Sequence, residues 1–393
     1  MRHNYRLRLS SGSERELLAE WYRCRWTWNQ CVATSRAAHA VGESCGAARL
    51  DKLLTGWRGE QKWLAEESSV VQQQTVSDFG AARAKALADR IARLPVRQCR
   101  GMPRFRRKDQ ALPTLNYTLR AFSLKDGRLC LAGGTLVVVV WSRELPSAPS
   151  SVRVYRDATG KWWASFVVTL AAEPLPATCR AIGFDWGVTE TATTTDPDFD
   201  LPHAQHGKRA ASRLAHYQRQ VARRKPRPGR KASVGYRRAK ARAAKTCHQV
   251  AGRRRDDARK WAKKVVRTFD QIAVEDFRPK FLARSTMARK ASDAAIATAK
   301  AELVHVAAKH GRDLSLVNPA YTTMDCGECG VRAKHRLALS ERTYTCESCG
   351  STRPRDRNSA AVMVARAGFN PAGADRVRLD RPLGFKQREP GIS

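Results

Sequence analysis

The 393-residue sequence contains no apolar run long enough to cross a bilayer. The stretch Leu136 to Trp141 falls far short of the roughly 20 residues that a spanning helix needs. The opening residues, MRHNYRLRLS, alternate polar with apolar and hold no apolar segment of the kind a secretory leader carries. Acidic residues are scarce beside basic ones: 36 Asp and Glu against 73 Lys and Arg, a formal net charge of +37. So large an excess draws polyanions over long range and favours counterion release on phosphate backbones. Nucleic acid is therefore the expected partner, with a solubility device or a membrane-surface protein as the plainer alternative. Paired cysteines are also few. Seven of the eleven (Cys24, Cys31, Cys45, Cys99, Cys130, Cys179, Cys247) stand singly without ligand spacing, which reads as small buried hydrophobes in a reducing cytoplasm.

What is present falls into blocks. Residues Asn4 to Leu9 alternate as a short strand, and Ser13 with Glu16 reads as a capping box opening a helix through Leu17, Leu18 and Trp21. The helical pattern continues to about Arg93, with a second helix in VVQQQTVSDFGAARAKALADRIARL, and Pro95 ends it. LCLAGGTLVVVVW and SVRVYRDATGKWWASFVVTL then read as strands, including a hairpin, of a small β-barrel. Because a strand also precedes the helices, they are expected to be an insertion into that barrel. Beyond Pro176, CRAIGFDWGVTETATTT is again strand and turn. Between Lys208 and Arg267 lie 23 Lys and Arg against Asp256 and Asp257 alone, broken at Pro226, Pro228 and Gly229. Two basic helices joined by a loop are expected there, and the imbalance favours phosphate contact over a merely solvated face. A strand, QIAVEDF, and a helix from about Ser292 to His310 follow.

Cys326-Gly-Glu-Cys329 and Cys346-Glu-Ser-Cys349 supply four soft ligands from two turns, the pattern of one structural zinc. Gly330 and Gly350 follow each pair and allow a tight turn, Arg342 to Thr345 reads as the strand between the pairs, and His335 is left to solvent. Three acids stand apart from this cluster. In Ala181 to Trp186, Ile182, Phe184 and Trp186 point one way and Asp185 the other; in QIAVEDF, Ala273 and Glu275 share a face; Asp356 opens the helix DRNSAAVMVARAG. Three such carboxylates can converge, and divalent cations would supply the counter-charge. Taken singly, Asp356 also reads as a helix N-cap, Glu275 as a surface charge and Asp185 as a turn acid.

In this order the segments AIGFDWGV, IAVEDF, CGECG…CESCG and RDRNSAAVM resemble the transposon-encoded TnpB proteins and the miniature type V CRISPR effectors. NYRLRL, the Pro-Arg-Phe segment at residues 103 to 105 and SVRVYRDATGKWWASFVV extend the resemblance over nearly the whole chain. It implies an α+β multidomain fold. A wedge-type β-barrel (1–12 and 96–180) would be interrupted by a helical recognition domain (13–95). An RNase H-like RuvC nuclease domain (181–320 and 351–368) would be interrupted by a zinc ribbon (321–350). The tail at 369–393 lies outside the resemblance; its turn formers, charge and lack of periodicity read as disorder. It implies Asp185, Glu275 and Asp356 as catalytic residues holding two Mg²⁺ or Mn²⁺ ions, and Cys326, Cys329, Cys346 and Cys349 as zinc ligands. Asn358 and Ala360 fit the family's D-x-N-x-A ending, and Ser359 stands where Ala is commoner.

The implied activity is RNA-guided cleavage of double-stranded DNA beside a short motif. One chain is expected per guide RNA, in the cytoplasm at the nucleoid of a prokaryote. By position, Gln73 and Thr118 are candidates for reading that motif, since Gln can pair bidentately with adenine, with capping or surface polarity as the alternative. Arg253, Arg254 and Arg255 are candidates for phosphate contact. Two competing functions share parts of this pattern. An unguided RNase H-like transposase or resolvase would need the acids but neither barrel nor inserted ribbon, and an RNA-guided DNA-binding repressor would have lost the acids.

Overall fold

The computed structural model describes residues 1–369 apart from 97–98, 109–110, 228, 278–281, 283–284 and 339. Pro228 and, except for Phe369, the tail expected at 369–393 thus lie outside the described residues; Phe369 itself is buried against Met363 and Val364. The chain divides into two compact units, Met1–Ala171 with Arg213–His248, and Ala172–Ser212 with Gln249–Ser393. No helix among the described residues is long and apolar enough to cross a membrane.

In the first unit, strand β1 (Arg2–Arg8) leads into helices α1 (Ser11–Ala40), α2 (Ala47–Glu60), the one-turn α3 (Lys62–Ala65) and α4 (Ser69–Ile91). Six strands follow: β2 (Thr114–Thr118), β3 (Phe122–Lys125), β4 (Arg128–Leu131), β5 (Leu136–Val140), β6 (Ser151–Arg156) and β7 (Trp162–Val167). All seven form one antiparallel sheet in the order β2-β6-β7-β1-β5-β4-β3. It curls over a core that includes Tyr5, Leu7, Leu129, Val139, Val154 and Phe166. Strand β1 sits at its centre, so the helical block interrupts the sheet in sequence without dividing it.

The helix start is not the expected Ser13–Glu16 box. Ser10 is the cap, extended at φ −70° and ψ 164°, and its hydroxyl accepts from the Ser13 amide. Ser13 lies one turn too far in, and its own hydroxyl donates to the Leu136 carbonyl. The helices gather their own core from Trp28, Cys31, Leu50, Leu54 and Phe79. Cys24, Cys31 and Cys45 are buried as small hydrophobes, but Cys179 and Cys247 are exposed and depart from that reading.

The second unit is built on a five-stranded sheet. Its strands are β8 (Ala181–Trp186), β9 (Glu190–Thr194), the short β10 (Leu201–Pro202), β11 (Gln271–Glu275) and β12 (Asp313–Val317), in the order β10-β9-β8-β11-β12. β8, β11 and β12 run parallel, and β9 and β10 add antiparallel. The two basic helices are α5 (His206–Arg223) and α6 (Val234–Thr268), and each begins in one unit and ends in the other. The single helix expected at 292–310 is two, α7 (Ala288–Ala294) and α8 (Ile296–Lys309), because Ala295 turns left-handed at φ 54°. Strands β13 (Thr343–Thr345) and β14 (Thr352–Pro354) pair as a small ribbon, and α9 (Arg355–Arg366) follows.

One face of this sheet is dry. Ile182, Phe184 and Trp186 of β8 and Ile272 and Val274 of β11 pack on Trp261, Ala262 and Val265 of α6 and Leu303 of α8. The opposite face receives α9, whose Met363 and Val364 meet Ala273 and Val317. That contact is close because residue 183 is glycine: a Cβ there would stand 2.0 Å from the Ala360 carbonyl oxygen and 2.7 Å from Val364. Since backbone cannot yield as a flexible side chain does, Gly183→Val should lift α9 from the sheet. We expect a loss of at least 1–3 kcal/mol, read in urea unfolding; a variant as stable as the parent would show that α9 is not seated there.

Candidate active site and cysteine cluster

Alternation along β8 turns Asp185 away from the aromatic core, toward the face that α9 covers. On β11, paired in parallel with β8 through Val274 and Phe184, the next residue is Glu275, which is 7% exposed. Its carboxylate Oε2 accepts the Trp186 backbone N–H at 3.3 Å, and the Trp186 indole donates to the Glu275 carbonyl at 3.2 Å. These bonds hold the side chain beside Asp185. Asp356 arrives in the first turn of α9, just after Pro354.

The three acids feel one another. Burial, then the charges of Glu275 and Asp356, push the Asp185 carboxyl well above its usual range, against a lowering by Arg355. Burial likewise pushes Glu275 up to about 7, against the opposing pull of the Trp186 amide and Lys300. Carboxylates gathered this way are short of positive charge, and a divalent cation is what such a donor set accepts.

α9 is fixed by neighbours of Asp356, of which the sequence singled out Asn358 but neither Arg355 nor Arg357. Arg357 donates to the Thr194 carbonyl at 2.7 Å and to Asp200 at 2.9 Å, fastening the helix start to β9 and the turn after it. Arg355 donates to Asp356 at 3.3 Å and to the Glu341 carbonyl at 3.1 Å. Asn358, fully buried, donates to the Asp325 carbonyl at 2.8 Å and accepts the Gly327 amide at 2.9 Å. A charged residue on each side of the acid is a signal that could have been read; the partners, 14 to 163 residues away, could not.

The cysteines meet as expected. All four sulfurs lie within 4.8 Å of one another, with Cys326 and Cys346 buried and Cys329 and Cys349 exposed. Cys326–Cys349 and Cys329–Cys346 are 3.7 and 3.6 Å apart, far beyond a disulfide. Tetrahedral bonds of about 2.3 Å to zinc place sulfurs roughly 3.8 Å apart, so the spacing fits. Backbone amides of Cys349 and then Ser348 bring Cys346 down to about 6, which favours a thiolate. Gly330 and Gly350 adopt φ +75° and +72°, as their place after each pair requires. His335 is exposed.

The nucleic-acid candidates fall in both units. Gln73 is exposed on α4, while its neighbour Gln72 is buried and bonded to the Leu64 carbonyl. α4 packs on β2, at whose end Thr118 sits half-buried. Arg253 and Arg255 are exposed, but Arg254 is held by Asp293 at 2.6 Å, so its charge is already matched within the protein.

Comparisons with known proteins fall on the same segments. A family model described as "Probable transposase" (OrfB_IS605) matches residues 159–286, and "Cas12f1-like, TNB domain" matches 298–363. A Streptomyces pristinaespiralis protein named as an RNA-guided DNA endonuclease is 30% identical over 335 residues, covering 84% of this chain and 79% of that protein. The chain belongs to the TnpB family. A second member, InsQ of Escherichia coli (strain K12), also named as an RNA-guided DNA endonuclease, is 25% identical over 399 residues. It covers 96% of this chain and 95% of that one. Among solved structures, a Cas12f1–sgRNA–target DNA complex matches with TM-score 0.53 at 12% identity, covering 90% of this chain and 83% of that chain. At that identity it speaks for the fold: mixed helix and sheet, with a curled sheet and a zinc-ribbon-like cysteine cluster.

The raised Glu275 carboxyl sets a pH dependence. Between its ordinary 4.5 and about 7, the folded chain keeps a proton that the unfolded chain has released, so the metal-free protein loses stability as pH rises through that window. The loss is on the order of 3 kcal/mol. Glu275→Gln should be more stable than the parent at pH 8 and equal to it near pH 4, measured by urea unfolding in a metal-free buffer. Parallel pH profiles for the two proteins would refute the assignment of buried charge to Glu275.

Proposed function

We propose that this chain is an RNA-guided endonuclease that cuts double-stranded DNA beside a short motif. The observation that supports the reading is that Asp185 and Glu275 lie side by side on the β8–β11 pair, close enough to the first-turn Asp356 of α9 to feel its charge, in a member of the TnpB family. These three carboxylates would hold two Mg²⁺ or Mn²⁺ ions. Bound there, such cations activate a water and stabilise the leaving oxygen of a phosphodiester. The chain's own part is to hold its acids ready. Trp186 orients Glu275, and Arg357 with Asp200 keeps the first turn of α9 in place. Cys326, Cys329, Cys346 and Cys349 would hold one structural zinc, leaving it no open position for chemistry.

The net charge of +37 finds its use in the same reading. The exposed cations of α5 and α6 would grip the backbone of a guide–target duplex while base pairing reads the sequence. Arg253 and Arg255 belong to that set, and Gln73 and Thr118 would meet the motif beside the target. The site of action is the cytoplasm, at the DNA.

Three outcomes test this. Asp185→Ala, Glu275→Ala and Asp356→Ala should each lower cleavage at least a thousandfold while RNA and DNA binding change little, since each removes a cation ligand and no phosphate contact. Near-parental cutting by any one of them would remove that residue from the site. Cys329→Ser should reduce zinc per chain and soluble yield together, by elemental analysis, because metal and local folding are linked at such sites. Protein expressed with its native flanking DNA should retain one discrete RNA, and replacing about 20 nucleotides at its guide end should redirect cutting. Sequence-independent cutting that survives RNase would instead favour an unguided transposase or resolvase.

A further inference from the structure

Asn358 lies two residues beyond Asp356 and is entirely buried. Its amide bonds on both sides of Cys326: Nδ2 donates to the Asp325 carbonyl at 2.8 Å, and Oδ1 accepts the Gly327 amide at 2.9 Å. The side chain therefore clamps the backbone that carries one of the four thiol ligands. The same cysteine knuckle presses on α9 at a glycine, with no side chain of its own at the contact. A Cβ on Gly327 would stand 2.6 Å from the Ala361 methyl and 3.1 Å from the Asn358 carbonyl. Arg366, at the far end of α9, donates to the Asp325 carboxylate at 2.5 Å and to the Asn318 carbonyl at 2.9 Å. One residue earlier than Ala361, Ala360 meets Gly183 of β8. α9 is thus in backbone contact with the cysteine knuckle on one side and with the Asp185-bearing strand on the other.

We propose that Asn358 is a positioning residue that makes the placement of Asp356, and hence cation binding at the carboxylates, depend on the metal in the cysteine cluster. The inference rests on the reading of Asp185, Glu275 and Asp356 as a cation site. A metal between the four sulfurs fixes the backbone at Cys326; the clamp passes that fixed point to the first turn of α9. Without the clamp the cluster could be full and the acid still poorly aimed. Groups that orient ligands from outside a metal site characteristically change affinity by about 10- to 100-fold.

The experiment is a double-mutant cycle on the full-length chain, with Mn²⁺ alone as the probe and electron paramagnetic resonance as the readout. Asp356→Ala defines which Mn²⁺ binding belongs to the carboxylates. Cys349→Ser, in the second knuckle, removes metal from the cluster. In the Asn358 parent it should weaken that Mn²⁺ binding about tenfold. Asn358→Ala should weaken it by a similar factor while keeping zinc at one per chain, and adding Cys349→Ser should then cost less than about twofold further. Equal factors in both backgrounds would overturn the proposal. If Asn358→Ala does not fold, Gly327→Ala takes its place in the cycle, pushing the knuckle off α9 with every ligand retained. Unchanged Mn²⁺ binding in Asp356→Ala would instead reject the carboxylate site itself.

Discussion

The second unit depends on how closely α9 can lie against β8. Carboxylates repel one another and resist burial, so nothing in their own interaction brings Asp185, Glu275 and Asp356 together. Apolar packing and backbone contact force the meeting. Ile182, Phe184 and Trp186 commit one face of β8 to the core, which leaves Asp185 on the other. Glycine at 183 then lets the Ala360 turn of the helix settle on that face with its first-turn acid beside Asp185. The stress appears as raised carboxyl pKa values, the condition under which a cation is bound most favourably.

Arg355, Arg357 and Asn358, around that turn, bond to other segments and hold the helix. Arg357 spans from α9 to Asp200, whose carboxylate also accepts the Thr194 amide, so β9, the turn beyond it and α9 share one ion pair. Asp325 joins Arg332 and Arg366 in the same manner below the cysteine knuckle. Such pairs are only partly exposed, and their worth is geometric: each removes a direction in which the helix could slide. The cysteine cluster, which falls between Glu275 and Asp356 in sequence, is in this sense part of the scaffold of the acidic site, although its chemistry is separate.

Much of this was legible in the sequence. Two C-x-x-C pairs followed by glycines meet in space because a tetrahedral thiolate cluster admits little else. The orientations of Asp185 and Glu275 followed from strand alternation, and the basic helices from charge and proline breaks. Other features were not legible, because local signals competed or were missing, or because the partner is distant in sequence. Ser10 and Ser13 both offer a capping hydroxyl, and which one caps depends on where the backbone first turns helical. Ala295 breaks a helix in a run of good helix formers, and no residue type nearby announces it. That Asp293 holds Arg254 could not be read from the sequence, because the two are 39 residues apart.

By itself, then, the sequence determined which faces are dry, where the acids and cysteines stand along the chain, and a net charge of +37 that favours a polyanion. Those properties are local: they follow from period, spacing and summed charge. The tertiary structure decided which acids meet, how near the helix comes to the sheet, and that Asn358 holds the backbone on both sides of Cys326. Those are distances between segments up to 163 residues apart. They are fixed by contacts in which a single missing Cβ, at Gly183 or Gly327, sets the separation, and no local pattern along the chain encodes the atom that the absent side chain would have struck.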